Sequence, residues 1–93
     1  MDKDFPASAR LEIDRIDREI AGLIRERMIQ VDKIAQWKKL HDQPVFVPER
    51  EEEIIRNIRN LTGDFCAGEI EHLYRILFAL CRKRQEKFIN SEE

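Results

Sequence analysis

The sequence predicts an all-α fold of three helices, one very long and two shorter, that form an intertwined helical homodimer. Three observations support this fold class. Apolar residues recur at helical spacing, no segment alternates as a strand would, and the three prolines stand at positions 6, 44 and 48. Ninety-three residues suffice for one domain with a modest core, so we treat residues 1–93 as a single domain.

The first helix is predicted over about residues 8–41. Pro6 and Ser8 offer a stop and a cap at its start, so residues 1–7 are expected to form a tail. A helix of about 33 residues is roughly 50 Å long. Its apolar residues form a seam along one side: Ile13, Ile16, Ile20, Leu23, Ile24, Val31 and Ile34.

The second helix is predicted over about residues 48–62. Pro44 disfavours helical geometry at Gln43, which leaves residues 42–47 as a loop. Pro48 suits the first helical position, where a missing N–H costs nothing, and the acidic residues after it favour the positive end of the helix dipole. Gly63 is the predicted C-terminal glycine.

The third helix is predicted over about residues 67–89, ahead of a polar tail. Its apolar residues also follow one face and are Ile70, Leu73, Tyr74, Leu77, Leu80, Cys81 and Phe88.

Composition argues against several classes of function. The net charge is −2 with both signs interleaved, so no basic stripe for nucleic acid is evident. Cys66 and Cys81 form neither a disulfide framework nor a metal-ligand spacing, and we predict no metal site. No apolar run approaches the ~20 residues that span a membrane, and no signal peptide is evident. We therefore expect a soluble, cytoplasmic protein.

The length of the first helix predicts a second copy of the chain. The shorter helices, roughly 21 Å and 33 Å long, cannot cover a seam of roughly 50 Å. An antiparallel pairing of the long helices would cross near Ala21 and Gly22, where small residues permit close approach. An interior glycine costs about 1 kcal/mol relative to alanine, which favours a packing role over an incidental one.

Cations interrupt the apolar seam. Arg27 and Lys38 are 11 residues apart, about 20° in rotation and roughly 16 Å in rise, so they point to one side. With a crossing at residues 21–22, Arg10 of a partner chain would fall between them. Each charge alone could reach solvent or pair at the surface. Together, three cations around one cavity suit a dianionic ligand.

Two further polar residues face the predicted interior. Glu51 precedes Ile54, Ile55 and Ile58 at helical spacing. Gln85 stands one turn after Cys81, on the inward face of the third helix. Buried polar groups need partners, so these residues indicate an ion network or a ligand site.

These residues resemble the all-α chorismate mutase family over nearly the whole chain, in its stand-alone single-domain form. The resemblance implies an intertwined homodimer with two shared sites. It also implies the conversion of chorismate to prephenate in Phe and Tyr biosynthesis, a Claisen-type rearrangement that uses no cofactor. It rests on these residues and segments: Arg10, Ile13–Asp17, Arg27, Lys38, Pro48–Glu51 and Tyr74–Gln85.

The resemblance implies a role for each site residue. Arg10 of the partner and Arg27 would hold the substrate carboxylates, with Arg50 supporting them electrostatically. Lys38 and Gln85 would donate to the ether oxygen, and Glu51 would accept from the ring hydroxyl.

Two positions depart from the family pattern. Val47 stands where an Asp often caps the second helix and contacts the hydroxyl. Cys81 stands where Ser is common, and a thiol is a weaker donor, so we expect a modestly raised KM.

Two other functions remain open. Isochorismate-pyruvate lyase shares the implied fold and cationic cavity, and an apolar residue at position 47 resembles the lyase pattern. Glu51 argues against the lyase, which tends to be apolar there. The second alternative is a non-catalytic dimeric helical module with a regulatory or interaction role. Such a module would tolerate loss of Arg27 or Lys38.

Overall fold

The computed structural model describes residues 5–91. This part of the chain contains three α-helices, α1 (Phe5–His41), α2 (Pro48–Thr62) and α3 (Ala67–Ile89), and no strand. The all-α class predicted from the sequence is therefore confirmed.

Helix α1 begins earlier than we predicted. The sequence placed a tail over residues 1–7 and a cap at Ser8, whereas the helix already includes Phe5 and Ser8 lies inside it. The reason is that Pro6 occupies the first turn, where N–H groups have no acceptor within the helix and proline is tolerated. Residues 1–4 of the predicted tail lie outside the described residues.

The chain divides into two compact units, Met1–Gln30 and Val31–Glu93. In the first unit, residues 5–30 form one helical segment. The apolar seam of this segment is 41–53% exposed at Ile13, Ile16, Ile20 and Ile24. A single helical segment has no second element of its own on which to bury such a seam.

The second unit contains the end of α1, the helix α2 and the helix α3. Asp32 on α1 receives two parallel hydrogen bonds from Arg84 on α3, Nε to Oδ1 at 2.6 Å and Nη2 to Oδ2 at 2.8 Å. This fork-to-fork pairing fixes orientation as well as distance. The buried residues of the unit come from all three helices: Val31, Ala35, Ile55, Phe78, Cys81 and Gln85.

The loop between α1 and α2 begins with a tight helix stop. Asp42 adopts a left-handed conformation (φ 53°), and the Gln43 N–H donates to the Lys38 carbonyl at 2.9 Å. This bond is the hallmark of a Schellman motif, which satisfies a carbonyl at the end of a helix. At the end of α2 the left-handed residue is Gly63 (φ 65°).

Candidate active site

Lys38 lies at the centre of the candidate site. Its ammonium group donates to the Val45 carbonyl at 2.8 Å and to Gln85 Oε1 at 2.9 Å. It therefore links α1 to the following loop and to α3. An ammonium group has three N–H donors, so two are used within the protein and one remains for a ligand.

The bond from Lys38 also fixes the orientation of the Gln85 amide. Because lysine can only donate, the amide oxygen must be the atom that faces it. The amide nitrogen of Gln85 then points elsewhere with its own N–H donors. Gln85 is only 8% exposed, so its position is set by packing around α3. Lys38 and Gln85 together present N–H donors from two different helices.

Burial lowers the pKa of Lys38 from its ordinary value of 10.5, because an ammonium group loses hydration when it is enclosed. The negative charge of Glu51 acts in the opposite direction and raises that pKa. Partial burial also strengthens the electrostatic interaction of Lys38 with any anionic oxygen nearby.

Glu51 lies on α2 and forms an ion pair with Arg82 of α3. The carboxylate oxygen Oε2 accepts from Arg82 Nη1, and the Glu51 side chain is 15% exposed. The Arg82 guanidinium lies 4.9 Å from the centre of the Phe46 ring, within cation–π range. The site thus contains one acidic side chain, Glu51, which is paired with an arginine of α3 that in turn contacts the loop.

Val47 is the N-cap residue of α2 and makes no side-chain capping bond. Its carbonyl accepts from the N–H groups of Arg50 and Glu51 at 3.1 and 3.3 Å. Arg50 itself lies at the surface, 61% exposed, where it pairs with Glu53 of the same helix. The structure therefore places the Arg50 side chain on the outer face of α2.

The other two predicted cations belong to the first unit. Arg10 is exposed, and Arg27 is partly exposed. Arg27 lines an open depression of about 440 Å³ together with Leu23, Glu26, Ile29 and Gln30. The roles predicted for Arg10 and Arg27 in ligand binding stay predictions.

Cys81 is 5% exposed and lies one turn before Gln85 on the buried face of α3. Its thiol is not part of a disulfide. A buried thiol behaves mainly as a small apolar side chain. Its predicted contact with substrate therefore stays a prediction.

The arrangement favours stabilisation of negative charge on an oxygen atom. Lys38 and Gln85 supply preorganised N–H donors, and Glu51 supplies an acceptor. Donors aimed at a developing charge in a partly dry site are an effective form of electrostatic catalysis. No group of three or more metal-ligating side chains occurs within residues 5–91.

Three parts of this site were missed in the sequence: the Val45 carbonyl, Arg82 and Phe46. A backbone carbonyl leaves no sequence pattern. Arg82 did leave a signal, because it stands four residues after Phe78 and three before Gln85, on the edge of the inward face. A charged residue at the edge of a buried face needs a partner, which here is Glu51.

Comparison with known proteins gives the family. Residues 9–86 match the family described as chorismate mutase type II. A bifunctional chorismate mutase/prephenate dehydratase of Aquifex aeolicus (strain VF5) is 36% identical over 83 residues, covering 84% of this chain and 23% of that protein. The chain thus spans about a quarter of that relative's length. No solved structure matches this chain.

Within the described residues, no helix is both long and apolar enough to cross a membrane.

We expect the substitution Val47→Asp to stabilise the protein by about 1 kcal/mol, because a carboxylate at the N-cap can accept from an N–H group of the first turn, where no side chain now caps the helix. The measurement is the free energy of unfolding in urea at one fixed protomer concentration. Val47→Ala is the control, since alanine shortens the side chain without adding an acceptor. A Val47→Asp variant no more stable than Val47→Ala would contradict this cap geometry.

Proposed function

The chain belongs to the chorismate mutase type II family, and we propose on this premise that it rearranges chorismate to prephenate. The observation that carries the proposal is the Lys38–Gln85 hydrogen bond, which brings polar groups with N–H donors from two helices together. The proposed reaction belongs to the biosynthesis of Phe and Tyr, and we expect it to take place in the cytoplasm.

The proposed reaction is an intramolecular rearrangement. The ether C–O bond breaks while a C–C bond forms, so no atom enters or leaves and no oxidant is needed. The enzyme must hold the substrate in its folded, reactive conformer and stabilise negative charge on the ether oxygen. The remaining N–H of Lys38 and the amide nitrogen of Gln85 are suited to the second task. This proposal involves no cofactor.

The remaining substrate contacts are proposed from the resemblance to the family. Arg27 and Arg10 of the partner chain would bind the two carboxylates of chorismate. Glu51 would accept from the ring hydroxyl. The surface position of Arg50 limits it to a long-range electrostatic contribution. With Val47 and Cys81 as poor polar contacts, we expect a modestly raised KM.

We propose that the enzyme is a homodimer in which α1 pairs with its copy. The exposed seam of the first unit supports this proposal, because contiguous apolar surface of this kind marks an interaction face. Gly22 adds support. A Cβ atom at this position would meet nothing within 4 Å in the single chain, so contacts inside the chain do not require glycine there. Close approach of a partner helix would require a residue without a side chain at this position.

One alternative has its own observation. The apolar N-cap residue Val47 resembles the pattern of isochorismate-pyruvate lyase, which would act on isochorismate in a similar cavity. The partly buried Glu51 argues against the lyase. A non-catalytic dimeric module would give no role to the remaining N–H donors of the part-buried Lys38–Gln85 pair.

The first test is the reaction itself. We expect the purified chain to convert chorismate to prephenate and to release no pyruvate from isochorismate, both followed by NMR. Lys38→Ala should lower kcat/KM by about 10²–10³-fold, because it removes a donor to the charged oxygen. Lys83→Gln, which removes an exposed cation of the same unit, is the control and should change kcat/KM less than twofold. Wild-type protein that forms no prephenate would contradict the proposed function.

The second test is the pH dependence. Because only protonated Lys38 can donate, kcat/KM should fall on the alkaline side through the pKa of Lys38, which lies below 10.5. The Lys38→Arg variant, if active, should lack this decline, since a guanidinium group stays charged.

Unfolding caused by the titration of Lys38 would not account for the alkaline fall in kcat/KM. A lysine with a lowered folded-state pKa binds fewer protons in the folded than in the unfolded chain, so its contribution to stability rises with pH. Circular dichroism over the same pH range provides the control. A profile for Lys38→Arg with the same alkaline decline as wild type would exclude Lys38 as the titrating group.

The third test concerns the shared site. Mixed Arg10→Ala and Lys38→Ala chains, if their subunits exchange, should recover about a quarter of wild-type activity, because half of the dimers then contain one intact site of two. Mixed Arg27→Ala and Lys38→Ala chains are the control. Both residues would serve the site of their own chain, so no intact site forms. Equal recovery in the two mixtures would exclude a shared site.

A further inference from the structure

The Arg82–Glu51 ion pair is more enclosed than the other ion pairs between helices in residues 5–91. Its side chains are 30% and 15% exposed. The Arg84–Asp32 pair is 51% and 44% exposed, and the Arg59–Glu71 pair is 57% and 30% exposed. Screening by solvent is weaker for the enclosed pair, so its charges interact more strongly. This cluster also lies at the candidate site, because Glu51 acts electrostatically on Lys38.

Glu51 therefore interacts with two cations, with Arg82 through an ion pair and with Lys38 electrostatically. One carboxylate oxygen, Oε2, is bound by Arg82, which leaves Oε1 as the free acceptor. The titratable and charged groups of this cluster are Lys38 from α1, Glu51 from α2, and Arg82 and Cys81 from α3. A carboxylate released from Arg82 would find the Lys38 ammonium as the nearest remaining cation of the cluster. A bond between them would occupy the one N–H of Lys38 that is free for substrate.

We propose that Arg82 is a positioning residue that holds Glu51 away from Lys38, so that Glu51 Oε1 faces the substrate hydroxyl and the third Lys38 N–H stays available for the ether oxygen. The Phe46 ring, 4.9 Å from the guanidinium, supports Arg82 from the loop side. Arg82 itself touches no reacting atom. The predicted effect of Arg82 on the reaction rate rests on the proposed function, whereas its predicted effect on the pKa of Lys38 does not.

The first experiment needs no substrate. The pKa of Lys38 is measured by NMR with ¹³Cε-labelled lysine in wild type, in Arg82→Gln and in the control Lys83→Gln, which also removes one cation of α3. Release of Glu51 toward Lys38 stabilises the charged ammonium. The pKa of Lys38 should therefore rise in Arg82→Gln and stay unchanged in Lys83→Gln. An unchanged or lowered pKa in Arg82→Gln overturns the proposal.

The second experiment measures catalysis. With chorismate as substrate, Arg82→Gln should lower kcat/KM by about tenfold to a hundredfold and move its alkaline decline to higher pH. In a Glu51→Gln background the same substitution should change kcat/KM less than twofold, since there is no carboxylate left to position. Equal losses in both backgrounds would show that Arg82 acts independently of Glu51 and would overturn the proposal.

Two further variants keep the test decisive if Arg82→Gln does not fold. Arg82→Lys retains the charge and one donor, so the pKa of Lys38 should stay nearer its wild-type value than in any uncharged variant. Phe46→Leu removes the ring beside the guanidinium and should raise that pKa by a smaller amount. A Lys38 pKa that stays at its wild-type value in Phe46→Leu would overturn the proposal. An inactive wild type with a shifted Lys38 pKa in Arg82→Gln would reject the proposed function alone.

Discussion

The candidate site depends on one part-buried ammonium group, that of Lys38, which needs hydrogen-bond acceptors. Lys38 loses hydration where it lies, and it recovers hydrogen bonds from the Val45 carbonyl and from Gln85. These two bonds join α1, the following loop and α3 at a single atom. Because lysine has one donor more than these two bonds use, one charged N–H remains for a ligand. Stability and the proposed chemistry thus share one group.

A second constraint is the apolar seam of α1. Its isoleucines remain largely exposed in the first unit, and a seam of this length is difficult to reconcile with an isolated chain. Pairing with a second copy would cover it and would bring Arg10 of one chain to the site of the other. In this view substrate binding requires the dimer, because the carboxylates of the substrate would be held by both chains.

The sequence predicted the helices well, whereas the roles of the site residues stay predictions. Pro48 and Gly63 are strong signals of helix ends, whereas Pro6 suits either a stop or a first turn, which is why the start of α1 was misplaced. Helical phase placed Lys38 and Gln85 on inward faces, but it could not show their hydrogen bond or the carbonyl of the loop. Arg82 was missed because an arginine beside a buried face resembles an ordinary surface cation. The roles of Arg10 and Arg27 stay predictions.

The loop contributes to the site through the backbone carbonyl of Val45, and every amino acid has such a carbonyl. Substitutions at residue 45 therefore leave the acceptor of Lys38 in place, whereas an insertion or deletion in residues 42–47 would move it. The loop should therefore tolerate a change of residue type at position 45 but not a change in length. Such a substitution would alter the side chain beside the site while the carbonyl that accepts from Lys38 stays in place.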